Sequence, residues 1–233
     1  TGKTAAYGLP LIQNTNMTDR RVQGLILSPT RELCIQITKE MELFAKHLRK
    51  LKILPVYGGT NISTQIKQVR AGVHVIVATP GRLKDLQNRG VVDLKKLRIL
   101  VLDEADEMLN MGFREDIETV LKDVPNTVST VLFSATMSKG IMQITKNYQN
   151  NAKVIKAVDE NKTVEKVDQW YVFTKKAEKP QAVTRLLDYH APKLCLIFCN
   201  TKRMVDDLTR NLQGSGVSAV ALHGDLNQNA RTR

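Results

Sequence analysis

Short apolar runs separated by polar loops and amphipathic stretches recur along the first two thirds of the chain. These runs predict strands at residues 22–27, 51–56, 73–78, 99–102 and 130–133. Largely continuous apolar runs are typical of strands buried on both faces of a parallel sheet. Between them apolar residues recur at helical spacing, as in the segment behind Thr30, a predicted N-cap. The pattern therefore predicts an α/β fold with a parallel sheet flanked by helices.

A second, shorter alternation follows a polar stretch without periodicity. We place a linker at residues 158–165, between a first domain at 1–157 and a second at 166–233. The second alternation predicts strands at 167–173, 194–199 and 217–222, and helices at 177–189 and 202–212. These are too few strands for a complete sheet, so we expect the chain to hold only the first part of a second α/β domain.

Composition excludes several classes of protein and points to a polyanionic partner. With 42% apolar and 25% charged residues, the chain is neither disordered nor collagen-like. No apolar run approaches the roughly 20 residues that span a bilayer, so we expect no membrane segment. The net charge is +12 and both predicted domains are basic, which suits a polyanion lying across both. Charge alone leaves nucleic acid, an acidic protein and a merely charged surface open.

The three cysteines predict reduced thiols and a cytoplasmic location. Cys34, Cys195 and Cys199 form neither an even disulfide framework nor a pair of zinc-type CxxC motifs. Cys195 and Cys199 lie in the apolar run at 194–199, so we predict that both are buried and structural.

Polar clusters follow the predicted strands where each strand ends. Asp103 and Glu104 come directly after 99–102, and in parallel α/β sheets the carboxyl ends of the strands are where ligands bind. Two carboxylates there predict a site facing a metal-bound phosphate. The alternative is a polar loop that caps a helix starting near Ala105.

Other clusters have the same placement. Gly2-Lys3-Thr4 has the composition of the second half of a phosphate-binding loop, although such a tripeptide is common by chance. Gly58-Gly59 ends the run at 51–56 and is either a turn or a close approach of backbone to a ligand. Ser134-Ala135-Thr136 ends the run at 130–133, where Ser and Thr more often cap the following helix.

The order of these clusters along the chain is more specific than any one of them. The clusters are Gly2-Lys3-Thr4, Pro29-Thr30-Arg31-Glu32-Leu33, Gly58-Gly59, Thr79-Pro80-Gly81-Arg82, Asp103-Glu104-Ala105-Asp106, Ser134-Ala135-Thr136, residues 196–201, and His223-Gly224-Asp225 with Gln228 and Arg231. In this order the chain resembles the DEAD-box ATP-dependent RNA helicases of bacterial type. The resemblance covers essentially the whole chain.

The resemblance implies two RecA-like P-loop domains, both incomplete here, that close on ATP and Mg²⁺. Gly2, Lys3 and Thr4 would bind the phosphates, and Thr4 and Asp103 would hold Mg²⁺, Asp103 through water. Lys3, Asp103 and Glu104 would be the catalytic residues, with Glu104 orienting and helping to deprotonate the attacking water.

The resemblance also assigns coupling and RNA-binding residues. Asp106, Ser134 and Thr136 would couple the nucleotide site to RNA. The positions that would contact the RNA backbone are Pro29, Thr30, Arg31, Gly59, Thr79, Gly81 and Arg82. Amides, hydroxyls and guanidinium groups of this kind contact phosphates and 2′-hydroxyls, so we expect little sequence preference. Taken singly, Arg31 and Arg82 could equally be solvated charges at helix starts.

The resemblance implies a protein that couples ATP hydrolysis to RNA binding and to local duplex unwinding or ribonucleoprotein remodelling. The alternative is an ATP-gated RNA clamp or scaffold with little unwinding role. We expect a monomer that works with protein cofactors or within a ribonucleoprotein. The family's adenine-binding segment and closing arginines would lie outside residues 1–233, so we expect this chain alone to be inactive.

Overall fold

The computed structural model describes residues 2–149, 151–156, 167–226 and 230–231. In chain order the elements are α1 Lys3–Gln13, β1 Gly24–Leu27, α2 Arg31–Phe44, β2 Ile53–Val56, α3 Ile62–Arg70, β3 Val75–Ala78, α4 Pro80–Asn88, β4 Ile99–Leu102, α5 Ala105–Asn110, α6 Arg114–Lys122, β5 Ser129–Leu132, α7 Lys139–Tyr148, a 3₁₀ turn Lys176–Glu178, α8 Lys179–His190 and α9 Lys202–Gly214. The chain divides into two compact units, Thr1–Ile155 and Lys156–Arg233. The linker predicted at 158–165 lies outside the described residues.

The first unit is built on a parallel sheet of five strands in the order β2-β3-β1-β4-β5. This confirms the parallel sheet and all five strands predicted in this part of the chain. The first three strands begin two residues later than predicted, at Gly24, Ile53 and Val75. All strands run the same way, so their carboxyl ends lie together along one edge of the sheet.

Alternate residues of each central strand enter two separate cores. Leu25 and Leu27 of β1 pack into the core beneath α3 to α7, whereas Ile26 packs into the core beneath α1 and α2. All three side chains are fully buried. The central strands are therefore apolar at every position, because helices cover both faces of the sheet.

Backbone pairing continues one residue past the end of four of the five strands, β1, β3, β4 and β5. The N–H of Asp103 donates to Leu27 O at 2.9 Å, and the N–H of Phe133 donates to Leu102 O at 2.8 Å. Ser28 N donates to Ala78 O, and Thr79 N donates to Val56 O, both at 3.0 Å. The first residue after each of these four strands is thereby fixed before the chain turns away from the sheet.

The described residues of the second unit form helices but no paired strand. The strands predicted at 167–173, 194–199 and 217–222 are therefore wrong for this structure, whereas the two helices are confirmed as α8 and α9. The side chains of Phe173 and Phe198 are both 92% exposed. An apolar run becomes a parallel strand only when neighbours bond its backbone and helices cover both faces, and these segments have neither.

The prediction that Cys195 and Cys199 are buried is also wrong. Cys195 is exposed and Cys199 is half-buried, since the run that carries them is not enclosed by a sheet. Cys34, on α2, is buried, and all three thiols are free. In the part of the chain that the structure describes, no helix is long and apolar enough to cross a membrane.

Candidate functional site

The strand order sorts the predicted site residues into two adjoining halves of one sheet edge. We define the β2–β1 half as the residues that follow β2, β3 and β1, and the β4–β5 half as those that follow β4 and β5. The positions predicted to contact RNA all fall in the β2–β1 half. The acidic pair and the residues predicted to couple fall in the β4–β5 half. The pairing of β1 with β4 places the two halves side by side at the middle of the sheet.

Asp103 is a buried carboxylate held from two sides. Only 4% of the surface of this residue is exposed. The Tyr7 hydroxyl donates to Asp103 Oδ2 at 2.8 Å, and the Glu104 N–H donates to Asp103 Oδ1 at 3.0 Å. A buried carboxylate needs such donors, and these two fix the orientation of the carboxyl plane. Asp103 is therefore pre-positioned at the end of β4.

Glu104 lies at a strained backbone position beside Asp103. Its φ is 51° and ψ is 49°, a left-handed conformation that is rare for residues other than glycine. It is the N-cap residue of α5, but its side chain makes no capping bond. The helix of the capping alternative does begin at Ala105, but the Glu104 side chain does not cap it. Its side chain is exposed at the sheet edge, where it can meet a ligand.

The charge environment of Glu104 connects it with the start of α1. Partial burial raises the pKa of Glu104, and the neighbouring charge of Asp103 adds to this rise, whereas the Lys3 ammonium opposes it. Lys3 is exposed at the first position of α1, and Thr4 follows it half-buried. The α1 N-terminus, with its backbone N–H groups and Lys3, therefore supplies positive potential next to the two acids.

Asp106 and Thr136 join the loops after β4 and β5. Asp106 Oδ2 accepts from both the N–H and the Oγ1–H of Thr136, each at 3.0 Å. Burial alone would raise the pKa of Asp106, but hydrogen bonds from Thr136 and Ser134 lower it below its usual value. Ser138 rather than Ser134 or Thr136 caps α7, so the capping alternative for that cluster is wrong.

In the β2–β1 half, Gly59 and Arg31 are packed against each other. Gly59 has a φ of +76°, and a Cβ built there would lie 1.9 Å from Arg31 Nη2. The guanidinium carbon of Arg31 also lies 5.7 Å from the centre of the Tyr57 ring. The absence of a side chain at Gly59 thus leaves room for the Arg31 head group, which lies over the loop that follows β2.

Arg82 is tied to the same loop through a residue that sequence reasoning missed. Gln65 Oε1 accepts from Arg82 Nη1 at 2.9 Å, and Gln65 Nε2 donates to Thr60 Oγ1 at 2.9 Å and to Tyr57 O at 3.2 Å. Gln65 is buried on α3. Neither predicted arginine is therefore a simple solvated charge. In the sequence, the only sign of this role was that Gln65 is an amide at a position where its helix would bury a side chain.

The remaining predicted positions open helices at this edge. Thr30 Oγ1 accepts from Leu33 N at 3.2 Å, which confirms its role as the N-cap of α2, and Pro29 before it is buried. Thr79 precedes α4 and its side chain makes no capping bond, so its hydroxyl is not used by the helix. Gly81 lies in the first turn of α4, where a Cβ would be 3.3 Å from Asp116 Oδ2.

Tyr7 is the second functional residue that sequence reasoning missed. It lies on α1 and reaches across the sheet edge to Asp103, 96 positions away. Its ring packs edge-on against Phe133, with ring centres 5.3 Å apart. The sequence offers only a tyrosine within a helix, one turn after Lys3 and Thr4, which does not reveal its partner.

Other features of the described structure lie away from this edge. A hollow of about 510 Å³ opens at the amino ends of β2 and β3, and its rim carries Lys46, Arg49 and Lys52 but no predicted site residue. Across residues 2–149, 151–156, 167–226 and 230–231, no group of three or more His, Cys, Asp and Glu side chains could hold a metal ion by itself.

In the second unit, the described residues of the last cluster pair with α9. His223 Nε2 lies 3.0 Å from Asp206 Oδ1, and Asp225 pairs with Lys202. That ion pair lowers the pKa of Asp225. Gln228 lies outside the described residues.

Two family profiles match the chain. The DEAD/DEAH box helicase profile matches residues 1–144, and the helicase conserved C-terminal domain profile matches residues 178–233.

Similar proteins agree with these matches. The chain is 45% identical over 233 residues to the DEAD-box ATP-dependent RNA helicase CshA of Streptococcus pneumoniae, covering 100% of this chain and 44% of that protein. The crystal structure of a DEAD box protein from Methanococcus jannaschii is 39% identical, with a TM-score of 0.63 over 99% of this chain and 61% of that one. A hypothetical ATP-dependent RNA helicase from Sulfolobus tokodaii is 38% identical, with a TM-score of 0.60 over 65% of this chain and 44% of that one.

The chain thus spans less than half the length of the curated relative from Streptococcus pneumoniae. The parallel sheet with two buried faces is the RecA-like fold of these relatives, and the order of the clusters along its carboxyl edge agrees with the profile match. With 144 of its 233 residues matched by the first profile, the chain belongs to the DEAD/DEAH box helicase family.

Proposed function

We propose that the protein containing this chain is an ATP-dependent RNA helicase that couples ATP hydrolysis to RNA binding and local unwinding. The observation that carries the proposal is the sorting of the sheet edge into two adjoining halves. One half holds two acids beside a helix N-terminus with a lysine, and the other holds amides, hydroxyls and two anchored arginines. The first suits a nucleoside triphosphate and the second suits a sugar–phosphate backbone.

In the β4–β5 half, Lys3 and the α1 N-terminus would neutralise phosphate charge. Asp103 and the Thr4 hydroxyl are hard oxygen donors and fit Mg²⁺, which prefers one or two carboxylates together with waters and phosphate oxygens. When bound, Mg²⁺ would offset the charge that develops on the transferred phosphoryl group. Glu104 would orient the attacking water and accept its proton, for which its exposed position beside the buried Asp103 is suitable.

The raised pKa of Glu104 has a direct consequence for that role. A carboxyl group accepts a proton only when it is ionised. As the solution is acidified, hydrolysis should therefore begin to fall at a higher pH than it would if the pKa of Glu104 had its usual value. Lys3 moderates this effect because its positive charge favours the ionised carboxylate.

In the β2–β1 half, the RNA backbone would contact the Arg31 and Arg82 head groups, the Gly59 loop and the helix starts at Thr30 and Thr79. Both arginines are already held by neighbours, so little side-chain freedom is lost on binding. The described residues of this half present no aromatic ring other than Tyr57, which Arg31 covers, and this supports contact with backbone rather than stacked bases.

The Asp106–Thr136 contact would carry a change at the acidic pair across the β4–β5 half. It joins the loop after β4 to the loop after β5, so a change at Glu104 is transmitted to the segment leading into α7. The free thiols support a reducing, cytoplasmic environment.

The test is ATP hydrolysis by the full-length protein with and without single-stranded RNA. We expect RNA to stimulate hydrolysis, and a short RNA duplex to be separated in an ATP-dependent manner. Hydrolysis that ignores RNA would contradict the proposal. Comparing duplex separation with the dwell time on single strands distinguishes a helicase from an ATP-gated clamp, because a clamp holds RNA for long periods with little separation.

A further inference from the structure

We propose that Tyr7 is a positioning residue that holds the Asp103 carboxylate in the orientation needed for metal-bound nucleotide. The proposal rests on the function proposed above and assigns a role to a residue outside the clusters that carry the family resemblance. Its hydroxyl donates to the Asp103 carboxylate at 2.8 Å, and this bond is the route by which Tyr7 would act on the site.

The geometry of α1 places Tyr7 behind the phosphate-facing residues. Tyr7 follows Lys3 by four positions and Thr4 by three, so all three lie on the same side of α1, with Tyr7 one turn further from the helix start. Lys3 and Thr4 are accessible, whereas Tyr7 is buried. One helix face therefore presents charge and hydroxyl groups to the site and, one turn below, a phenol to the acid from β4.

The Tyr7 hydroxyl is aimed by its ring. The ring packs at 60° against Phe133, with centres 5.3 Å apart. Phe133 is fixed in turn, because its N–H donates to Leu102 O at 2.8 Å and its carbonyl accepts from Ala105 N at 3.0 Å. These two bonds bracket Asp103 and Glu104 in sequence. The ring of Tyr7 is thereby held against the same backbone that carries the acids.

The bond from Tyr7 to Asp103 has few substitutes. Asp103 is almost fully buried, and in the described structure the hydroxyl is the one side-chain donor within hydrogen-bond distance of its carboxylate. The other donor is the backbone N–H of Glu104, which bonds the opposite oxygen. Removing the hydroxyl leaves Oδ2 without its donor and frees rotation of the carboxyl plane about the remaining bond.

The test is Tyr7→Phe in the full-length protein, with a fluorescent ADP analogue as the probe. Affinity is measured with Mg²⁺ and again with EDTA in its place. We expect Y7F to weaken binding about 5- to 10-fold in Mg²⁺, the scale of one lost hydrogen bond, and to leave binding in EDTA unchanged. The Mg²⁺ concentration at half-saturation should rise by a similar factor.

Two further variants separate positioning from general damage. Tyr148→Phe is the matched control, since the described structure gives the Tyr148 hydroxyl no hydrogen-bond partner and its ring packs against the core. We expect Y148F to leave both affinities unchanged. Asp103→Asn removes the carboxylate charge that would hold Mg²⁺, which is what Tyr7 is proposed to orient, so Y7F added to D103N should cause no further loss of affinity in Mg²⁺.

Equal weakening with and without Mg²⁺, or a full additional loss in the D103N background, would overturn the role of Tyr7. So would a Y7F variant with wild-type Mg²⁺ dependence while the wild type itself gains affinity from Mg²⁺. A wild-type protein that gains nothing from Mg²⁺ would overturn the proposed function, and the role of Tyr7 with it.

Discussion

The two edges of the first sheet bury polar side chains to a similar extent but satisfy them differently. At the amino edge, Gln23 bonds Asn16 at both its N–H and its carbonyl and also bonds Asp19 O, while His74 Nδ1 accepts from Lys52 N. These partners are all backbone groups of nearby loops. The buried polar side chains at this edge therefore hold the neighbouring loops against the sheet.

At the carboxyl edge, buried and half-buried polar groups bond to side chains from other elements. Tyr7 of α1 bonds Asp103 after β4, and Asp106 after β4 bonds Thr136 after β5. Two of these groups have shifted pKa values, since the pKa of Tyr7 is raised and that of Asp106 is lowered. Polar burial alone thus does not identify a functional edge. Ionisable groups that depend on one another across elements do.

Among variants that distinguish the carboxyl edge from the amino edge, Asp103→Asn should have the largest effect on ATP hydrolysis. We expect it to lower RNA-stimulated ATP hydrolysis by the full-length protein by about 100-fold or more, because metal-assisted charge neutralisation contributes several kcal/mol to the barrier. The single oxygen of the amide can accept from only one of the two donors to Asp103, the Tyr7 hydroxyl or the Glu104 N–H, so the free energy of unfolding should also fall by about 1–2 kcal/mol. Steady-state hydrolysis and urea denaturation measure the two quantities.

Gln23→Leu is the matched control at the other edge, with a side chain of similar size and burial. It leaves backbone groups of Asn16 and Asp19 without their partner, so the free energy of unfolding should fall by about 2 kcal/mol. Hydrolysis per folded molecule should be unchanged. If Q23L impaired hydrolysis as D103N does, the distinction between the edges would be lost.

An intermediate effect is expected for Gly59→Ala. A Cβ there would meet Arg31 Nη2 and displace the guanidinium, so RNA affinity should fall about 5- to 10-fold, as expected for a lost charge-assisted contact. Gly90→Ala is the matched control, because its φ is also positive, at +64°, but nothing lies within 4 Å of its Cβ.

Both glycine variants should lose about 1 kcal/mol of folding free energy through backbone strain. Only G59A should weaken RNA binding, measured by titration of a fluorescent single-stranded RNA. Equal loss of RNA affinity in both variants would show that strain, rather than Arg31, is the cause.

The smallest effect is expected for Thr136→Val. The variant removes one hydrogen bond to Asp106, whose pKa in the folded protein is depressed, and such a group stabilises the fold above its unfolded pKa and loses this contribution as pH falls through the folded pKa. T136V should therefore cost roughly 0.5–1 kcal/mol at pH 7 and almost nothing in strong acid. Urea denaturation across this pH range measures the difference, and a loss that does not depend on pH would exclude Asp106 as its cause.

Sequence patterns predicted the first sheet well because its strands carry their own signal. Runs such as Ile99–Leu102 are apolar on both faces, and the acids that end this one mark the edge. The order of the strands in the sheet was not predicted. The division of the edge into two halves was therefore not predicted either. That order depends on which strands pair across the sheet, a choice made by long-range packing.

The segments that failed show the limit of the same signal. The run at 194–199 has the composition of a buried strand, yet Leu194 is 85% exposed. Composition gives the capacity to form a strand, whereas pairing requires neighbours. Partners such as Tyr7 and Gln65 were invisible for a related reason, since each bonds a residue far away in the sequence.

The central claim is that Glu104 acts in hydrolysis at an edge where ATP and RNA binding are coupled. The most direct measurement compares wild-type and Glu104→Gln full-length proteins for ATP hydrolysis with RNA and for RNA affinity with ATP and Mg²⁺. We expect E104Q to lose RNA-stimulated hydrolysis while keeping ATP-dependent RNA binding. An E104Q protein that hydrolyses ATP at the wild-type rate, or a wild type whose RNA affinity ignores ATP, would contradict the account.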